Sequence, residues 1–400
     1  MMNIAMEECM RWYGPGDPVS LQFIRQTGAT GVYTSLHQIP YGDVWPVKTI
    51  LDHKKLVEEA GLRWVAVESV PVHEDIKTRS GNYLQYIENY QQTLLNLGSE
   101  GIDLVIYNFM PVLDWVRTDL THRLDDGSEC LYFDPVQFAA FEIYLLRREG
   151  AENDYTEAQL SAAKDFFDSL SNSEKKAFET SLIDVFPGCK MGLSIEDVRG
   201  MLNTYNDIDR KKLKENFCLF LEAVIPVAET AEVRMAVHPD DPPYSIMGLP
   251  RIVSCEEDVK DLLAMVDSPA NGLCFCTGSY SPRPDNDLPG MIERYGHRIH
   301  CAHLRSTQRN PDGSFYEADH LGGSVDMYKV VKALLLEMKK RQTVGQKNWK
   351  IPFRPDHGHT MMDDLEKPPV ANPGYTAIGR LRGLAEIRGL QLGIARSLNL

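Results

Sequence analysis

No run of about 18 apolar residues occurs in the 400, so no membrane-spanning helix is expected. The opening MMNIAMEECMRWYG has no basic segment followed by an apolar one, so no secretory leader is expected. Eight cysteines without such a leader point to free thiols in a reducing, cytoplasmic setting. Basic residues are the minority, 42 Lys and Arg against 57 Asp and Glu, for a formal net charge of −15. No Lys/Arg stripe of the kind a phosphate backbone requires is present, so nucleic acid is not an expected partner. A small anionic substrate fits only where a local cation overrides the global field. Neither G-x-G-x-x-G nor G-x-x-x-x-G-K-[ST] occurs, which argues against a doubly wound nucleotide-binding sheet. Low-complexity tracts are missing too. The 43% hydrophobic and 25% charged composition is that of a globular chain with ample core.

Short β-rich runs alternate with amphipathic helical patterns. The strand-like runs are 11–14, 31–37, 63–70, 104–112, 233–239, 273–278, 298–306 and 350–358. Asp17 followed by Pro18 predicts an N-cap and N1 for the first helix, and Gly61 closes the helix written VKTILDHKKLVEEAG. Further helices are predicted at 81–101, 206–230, 256–266, 324–341 and from Tyr375 onward. Eight strands, each followed by a helix, predict a (β/α)8 TIM barrel spanning 1–400 as one domain. The spacing breaks once, and residues 113–205 are expected to form a helical insertion within the barrel after its fourth strand.

Barrels of this kind place chemistry at the C-terminal ends of their strands. His37, Glu68, Asn108, His238, Cys276, His303, Arg305, Asp356, His357 and His359 all fall at or near predicted strand ends. In RIHCAHLRS the two-residue period puts Cys301, His303 and Arg305 on one face and His300 on the other. His303 and Arg305 are therefore expected to point inward, and His300 to be a hydrogen-bonded packing residue. His238, Cys276, His303 and Asp356 come from four consecutive late strands. An imidazole, a thiol, a second imidazole and a carboxylate converging there make a candidate divalent-metal site with room for substrate. Cys274 reads as a small hydrophobe. Arg305 is the natural bidentate clamp for a substrate carboxylate in an acidic protein. Residues 282–290, 306–323 and 361–374 read as long loops suited to lids.

The stretches RWYGPGDPVSL, GATGV, VESVPVHEDIK, YNFMPVLDWVRTDL, AVHPDDPP, CTGS and FRPDHG strongly resemble the D-mannonate dehydratase family, metal-dependent barrels related to xylose isomerase. The resemblance spans nearly the whole chain. It implies loss of water from D-mannonate to give 2-dehydro-3-deoxy-D-gluconate in hexuronate breakdown, with Mn2+ or Fe2+. It also implies metal ligation by Cys276, His238, His303 and Asp356, and an acid–base pair made of His357 and Tyr375. Arg305, His37, Asn108, Tyr13 and His359 are the candidates for substrate contact, and a homo-oligomer is expected. A sugar isomerase of the same superfamily is the rival enzyme reading. Its carboxylate-rich ligand sets and strand-end Lys find no counterpart here. A structural zinc barrel is the non-enzyme reading, and it calls for a closed site without a lid.

Overall fold

A computed structural model describes residues 4–183, 193–368 and 372–400. Eight strands close into a barrel: Glu7–Arg11, Gly31–Thr34, Arg63–Glu68, Leu104–Tyr107, Arg234–Val237, Asn271–Cys276, Ile299–His303 and Pro352–Arg354. Each pairs in parallel with its sequence neighbours, and the first closes against the last. Helices surround this closed ring, as in a (β/α)8 TIM barrel. No described helix is long and apolar enough to cross a membrane.

The strand runs fall where predicted, with one shift. The first strand is Glu7–Arg11, several residues ahead of the expected 11–14. Glu8, Met10 and their neighbours alternate too weakly to announce a strand, whereas the aromatic pair Trp12–Tyr13 lies just past its end. Likewise, the first helix begins at Leu21 with Ser20 as its cap, Ser20 Oγ accepting from Phe23 N. Asp17 instead accepts from Tyr13 N and Val19 N at 2.9 Å each, forming the turn that leaves the strand. Gly61 does close the Val47–Glu59 helix with φ +73°, a backbone geometry that favours glycine.

Inside the barrel a narrow core is made by Cys9, Tyr33, Val65, Ala66, Leu104, Ile106, Ala236, Cys274 and Cys301. A far larger apolar layer lies between strands and helices. Among the described residues every cysteine is free.

Residues 113–205 are not wholly helical. Asp119–Arg123 and Glu129–Phe133 pair there as antiparallel strands, followed by helices that include Pro135–Ala140 and Glu157–Ser169. The expected loop at 306–323 is a hairpin, Ser306–Arg309 against Phe315–Ala318. Its NPDG turn is held by Asp312 accepting from Ser314 N, with Gly313 at φ +88°. The hairpin joins the other two strands in one four-stranded sheet at the mouth. Of the loop expected at 361–374, residues 369–371 lie outside the described residues.

His53, on the Val47–Glu59 helix, is buried between Trp12 and Trp64, with Nε2 3.0 Å from Thr34 Oγ1. Burial, helped by the charge of Arg11, lowers its pKa from 6.5 to about 4. Between those values the unfolded chain binds a proton that the folded chain refuses. The stability supplied by neutral His53 is therefore complete above pH 6.5 and is lost as the pH falls toward 4. At about 1.4 kcal/mol per unit the loss by pH 4.5 is on the order of 2 kcal/mol. Denaturant unfolding at pH 7 and 4.5 should show a shallower pH slope for His53→Gln; an unaltered slope would refute the assignment.

Candidate functional site

The late strands deliver their terminal side chains to one end of the barrel. Cys276 and His303 are the last residues of their strands and are register partners, hence at one level. His238 follows Val237 directly, and Asp356 follows Arg354 by two residues. Asp356 has φ +64°, a left-handed conformation that carries the chain sharply out of the eighth strand. The loop behind it packs closely on the chain, since a Cβ on Gly358 would meet the Gly379 carbonyl carbon at 2.4 Å. That contact brings the start of the Ala377–Ser397 helix, and with it Tyr375, against His357. The two rings meet edge to face at 5.1 Å.

Ligand-type atoms of Cys276, His303 and Asp356 lie within 4.8 Å of one another, as do those of His238, Cys274 and His303. The four expected ligands thus reach one mouth, but as two overlapping triads rather than one quartet, and Cys274 joins them. His238 Nδ1 lies 2.8 Å from the Pro239 carbonyl. Only a protonated Nδ1 can donate there, which leaves Nε2 as the electron-pair nitrogen. Burial pushes the Cys276 thiol up to about 12, with Arg305 pulling the other way. Burial also lowers the pKa of His238, and that of His303 further still, with Arg354 adding to the latter.

Arginines organise the carboxylates. Arg305 donates from Nε to Asp356 Oδ2 at 2.6 Å, from Nη1 to both Glu317 oxygens at 2.7 Å, and from Nη2 to Asp241. Arg117 binds Asp241 at 2.6 Å and Glu317 at 2.7 Å. Arg354 forks onto Glu68 at 2.6 and 2.9 Å and also reaches Asp356 Oδ1. Burial raises the carboxylate pKa values, yet the guanidinium charges win. Asp356 and Glu317 fall well below their ordinary range, and Glu68 is carried down to about 2.

Arg305 points inward as predicted, but it is no free clamp: three carboxylates and Ser279 Oγ occupy its guanidinium. His359 is likewise engaged, its Nε2 lying 2.8 Å from the Glu317 carbonyl, which ties it to the hairpin instead of the mouth. His300 is buried on the outer face and hydrogen-bonded to the Ala270 backbone, as its alternation predicts. His320 Nε2 lies 2.8 Å from the Pro355 carbonyl, so it too is internal. Tyr13 stacks on His37 at 5.7 Å and meets Tyr375 edge-on at 5.1 Å, so this early aromatic belongs to the mouth. Asn108 hydrogen-bonds Asp114. Tyr13, Glu68, Asn108, His238 and Tyr375 are half-buried and His37 is exposed, which marks the side open to a ligand.

Arg117, Asp241, Ser279 and Glu317 were not singled out from sequence. Asp241 and Ser279 lie within motifs already quoted, next to the residues chosen from them. Gly278 offered the clearest signal, since a Cβ there would meet Arg305 Cγ at 2.3 Å. Glu317 gave none, being hidden in a stretch read as loop.

Nitrogen, sulfur and oxygen donors gathered with buried arginines and carboxylates at the C-terminal mouth of a (β/α)8 barrel define the candidate active site of a barrel enzyme. The profile of the family described as D-mannonate dehydratase matches residues 6–399. A mannonate dehydratase from Marinomonas sp. (strain MWYL1) is 53% identical over 394 residues, covering 98% of this chain and 100% of that one. Another, from Saccharophagus degradans, is 48% identical over 385 residues, covering 96% and 97%. The crystal structure of mannonate dehydratase from Streptococcus suis serotype2 aligns with a TM-score of 0.76 at 34% identity, covering 98% of this chain and 95% of that one. The chain belongs to the D-mannonate dehydratase family and is a hydro-lyase.

Glu317→Gln removes one buried charge from between two buried guanidinium groups. Unpairing such a network costs about 3 to 5 kcal/mol. Urea unfolding should show a loss of that order, and a loss below about 1 kcal/mol would mean that the mouth does not depend on this network.

Proposed function

We propose that this chain removes water from D-mannonate, taking the C2 proton and the C3 hydroxyl, to give 2-dehydro-3-deoxy-D-gluconate in hexuronate catabolism. The observation that carries this reading is the Cys276–His303–Asp356 donor cluster set beside the His357–Tyr375 pair. Donors of nitrogen, sulfur and oxygen suit a borderline divalent ion such as Mn2+ or Fe2+, and His238 is positioned to complete the set. When bound, that ion supplies Lewis-acid neutralisation of the charge that builds up as the C2 proton leaves.

The chain's own residues do the rest. The C2 proton is weakly acidic and the C3 hydroxyl is a poor leaving group, so a base and an acid must act from fixed positions. His357 and Tyr375 supply them. His357 Nδ1 lies 3.2 Å from Glu317 Oε1, so a carboxylate held by two arginines orients the imidazole. Tyr375 Oη donates to Asp356 Oδ1 at 3.0 Å and accepts from Arg354 Nη1 at 3.2 Å. Burial raises the pKa of this phenol well above its ordinary value, and the Arg354 guanidinium beside it pulls the other way, easing proton transfer at Oη. Tyr13, His37 and Asn108 face the open side and contact the substrate's oxygens. Trp115 packs edge-on against His357 at 5.7 Å and helps exclude water.

Incubation with D-mannonate and Mn2+ or Fe2+ should give a 2-keto-3-deoxy acid, which an isomerase does not make. Its absence under both metals would refute the proposal. Chelation should abolish turnover while the circular dichroism stays native, and a loss of fold would favour structural zinc. His357→Asn and Tyr375→Phe should each lower kcat by about 10^2- to 10^4-fold with metal content unchanged.

A further inference from the structure

Alternation along the sixth strand turns Cys274 and Cys276 to the same interior face. Register sets their depths: Cys276 pairs with His303 at the rim, while Cys274 pairs with Cys301 one level below. The His303 ring spans both levels. Its Nε2 lies 3.2 Å from Cys274 Sγ, and Cys276 and Asp356 complete a triad with it above. His238 contributes from the neighbouring strand, with its tautomer fixed by the Pro239 carbonyl. A small buried hydrophobe does not account for a thiol placed at ligand spacing between two imidazoles.

We propose that His238, Cys274 and His303 form a second, inner metal position, selective for thiophilic ions such as Zn2+, that shares His238 and His303 with the outer set. The donor chemistry separates the two positions. Both sets draw on the two imidazoles; the inner one adds only the Cys274 thiol, whereas the outer one adds the Cys276 thiol and a carboxylate held by Arg305 and Arg354. Softer donors favour Zn2+ over Mn2+, and carboxylate oxygen favours Mn2+. Cys274 and His303 are fully buried, so the half-buried His238 marks the way in. Because one ring cannot serve two ions at once, Zn2+ in the inner position displaces the ion from the outer one. This exclusion rests on the outer set binding metal, whereas the inner triad stands on its own distances.

The test measures metal affinity on the intact chain, with Zn2+ and Mn2+ by competition and Co2+ as an optical probe of thiolate ligation. Cys274→Ala should weaken Zn2+ binding at least tenfold and alter Mn2+ binding less than about threefold. Cys276→Ala should keep a thiolate-to-cobalt charge-transfer band, arising from Cys274. Should Cys274→Ala lose its native circular dichroism, the near-isosteric Cys274→Ser gives the same comparison. Unchanged Zn2+ affinity in the Cys274 variant, or loss of every thiolate band in Cys276→Ala, would overturn the inner position and leave the outer one standing. Wild-type protein that binds none of the three ions would overturn both.

Discussion

The mouth of the barrel is built around one buried cation. Arg305 is 2% exposed, and a guanidinium so far from water is tolerable only if its donors are all met by charge. Asp356, Glu317 and Asp241 meet them, and each is thereby aimed. Asp356 turns one oxygen to Arg305 and the other to Tyr375 and Arg354. Glu317, bound also by Arg117, presents an oxygen to His357. The donor cluster and the His357–Tyr375 pair are thus oriented by the same few charges.

These charges come from two separate parts of the chain. The barrel supplies the metal-ligand donors from its late strands. Glu317 comes from the four-stranded sheet outside it, assembled from the segment after the fourth strand and the hairpin after the seventh, and Arg117 lies two residues ahead of that sheet's Asp119–Arg123 strand. Sheet hydrogen bonds hold that cover in register, as an irregular loop would not. A preorganised wall of this kind holds Glu317 3.2 Å from His357 Nδ1 and so fixes the orientation of that ring.

How much of this could be read in advance depended on whether the information was local. Strand alternation is a local property, so the barrel, the inward turn of His303 and the packing role of His300 were all legible. The ends of strands were legible to within a few residues, which was enough to gather His238, Cys276, His303 and Asp356. Charge pairing across distant segments was not. Arg305 looks like a free clamp until Glu317, twelve residues on, folds back onto it, and the separation of Arg117 from Glu317 is 200 residues. The outer sheet was missed for a related reason. Its strands are short, and two of them lie within sequence of strongly helical composition. Cys274 packs in the barrel core as a small hydrophobe should, and the sequence does not show that its thiol also lies 3.2 Å from His303 Nε2.

The same pairing bears on how a chain of net charge −15 receives an anionic sugar acid. Arg117, Arg305 and Arg354 stand in the mouth, but carboxylates already neutralise them. Arg11 differs. It donates to the Tyr33 carbonyl, lies 3.4 Å from His37 Nε2, and sits over the Tyr13 ring at 4.5 Å. Its direct partners are neutral, at the edge where Tyr13 is half-buried and His37 is exposed, while its charge also helps lower the pKa of Glu68. Positive charge with no carboxylate hydrogen-bonded to it therefore stands in the mouth at Arg11, beside Tyr13. A carboxylate drawn to Arg11 would lie beside Tyr13, whose ring meets that of Tyr375 edge-on at 5.1 Å, so it would approach the His357–Tyr375 pair from the side that the arginine–carboxylate network leaves open.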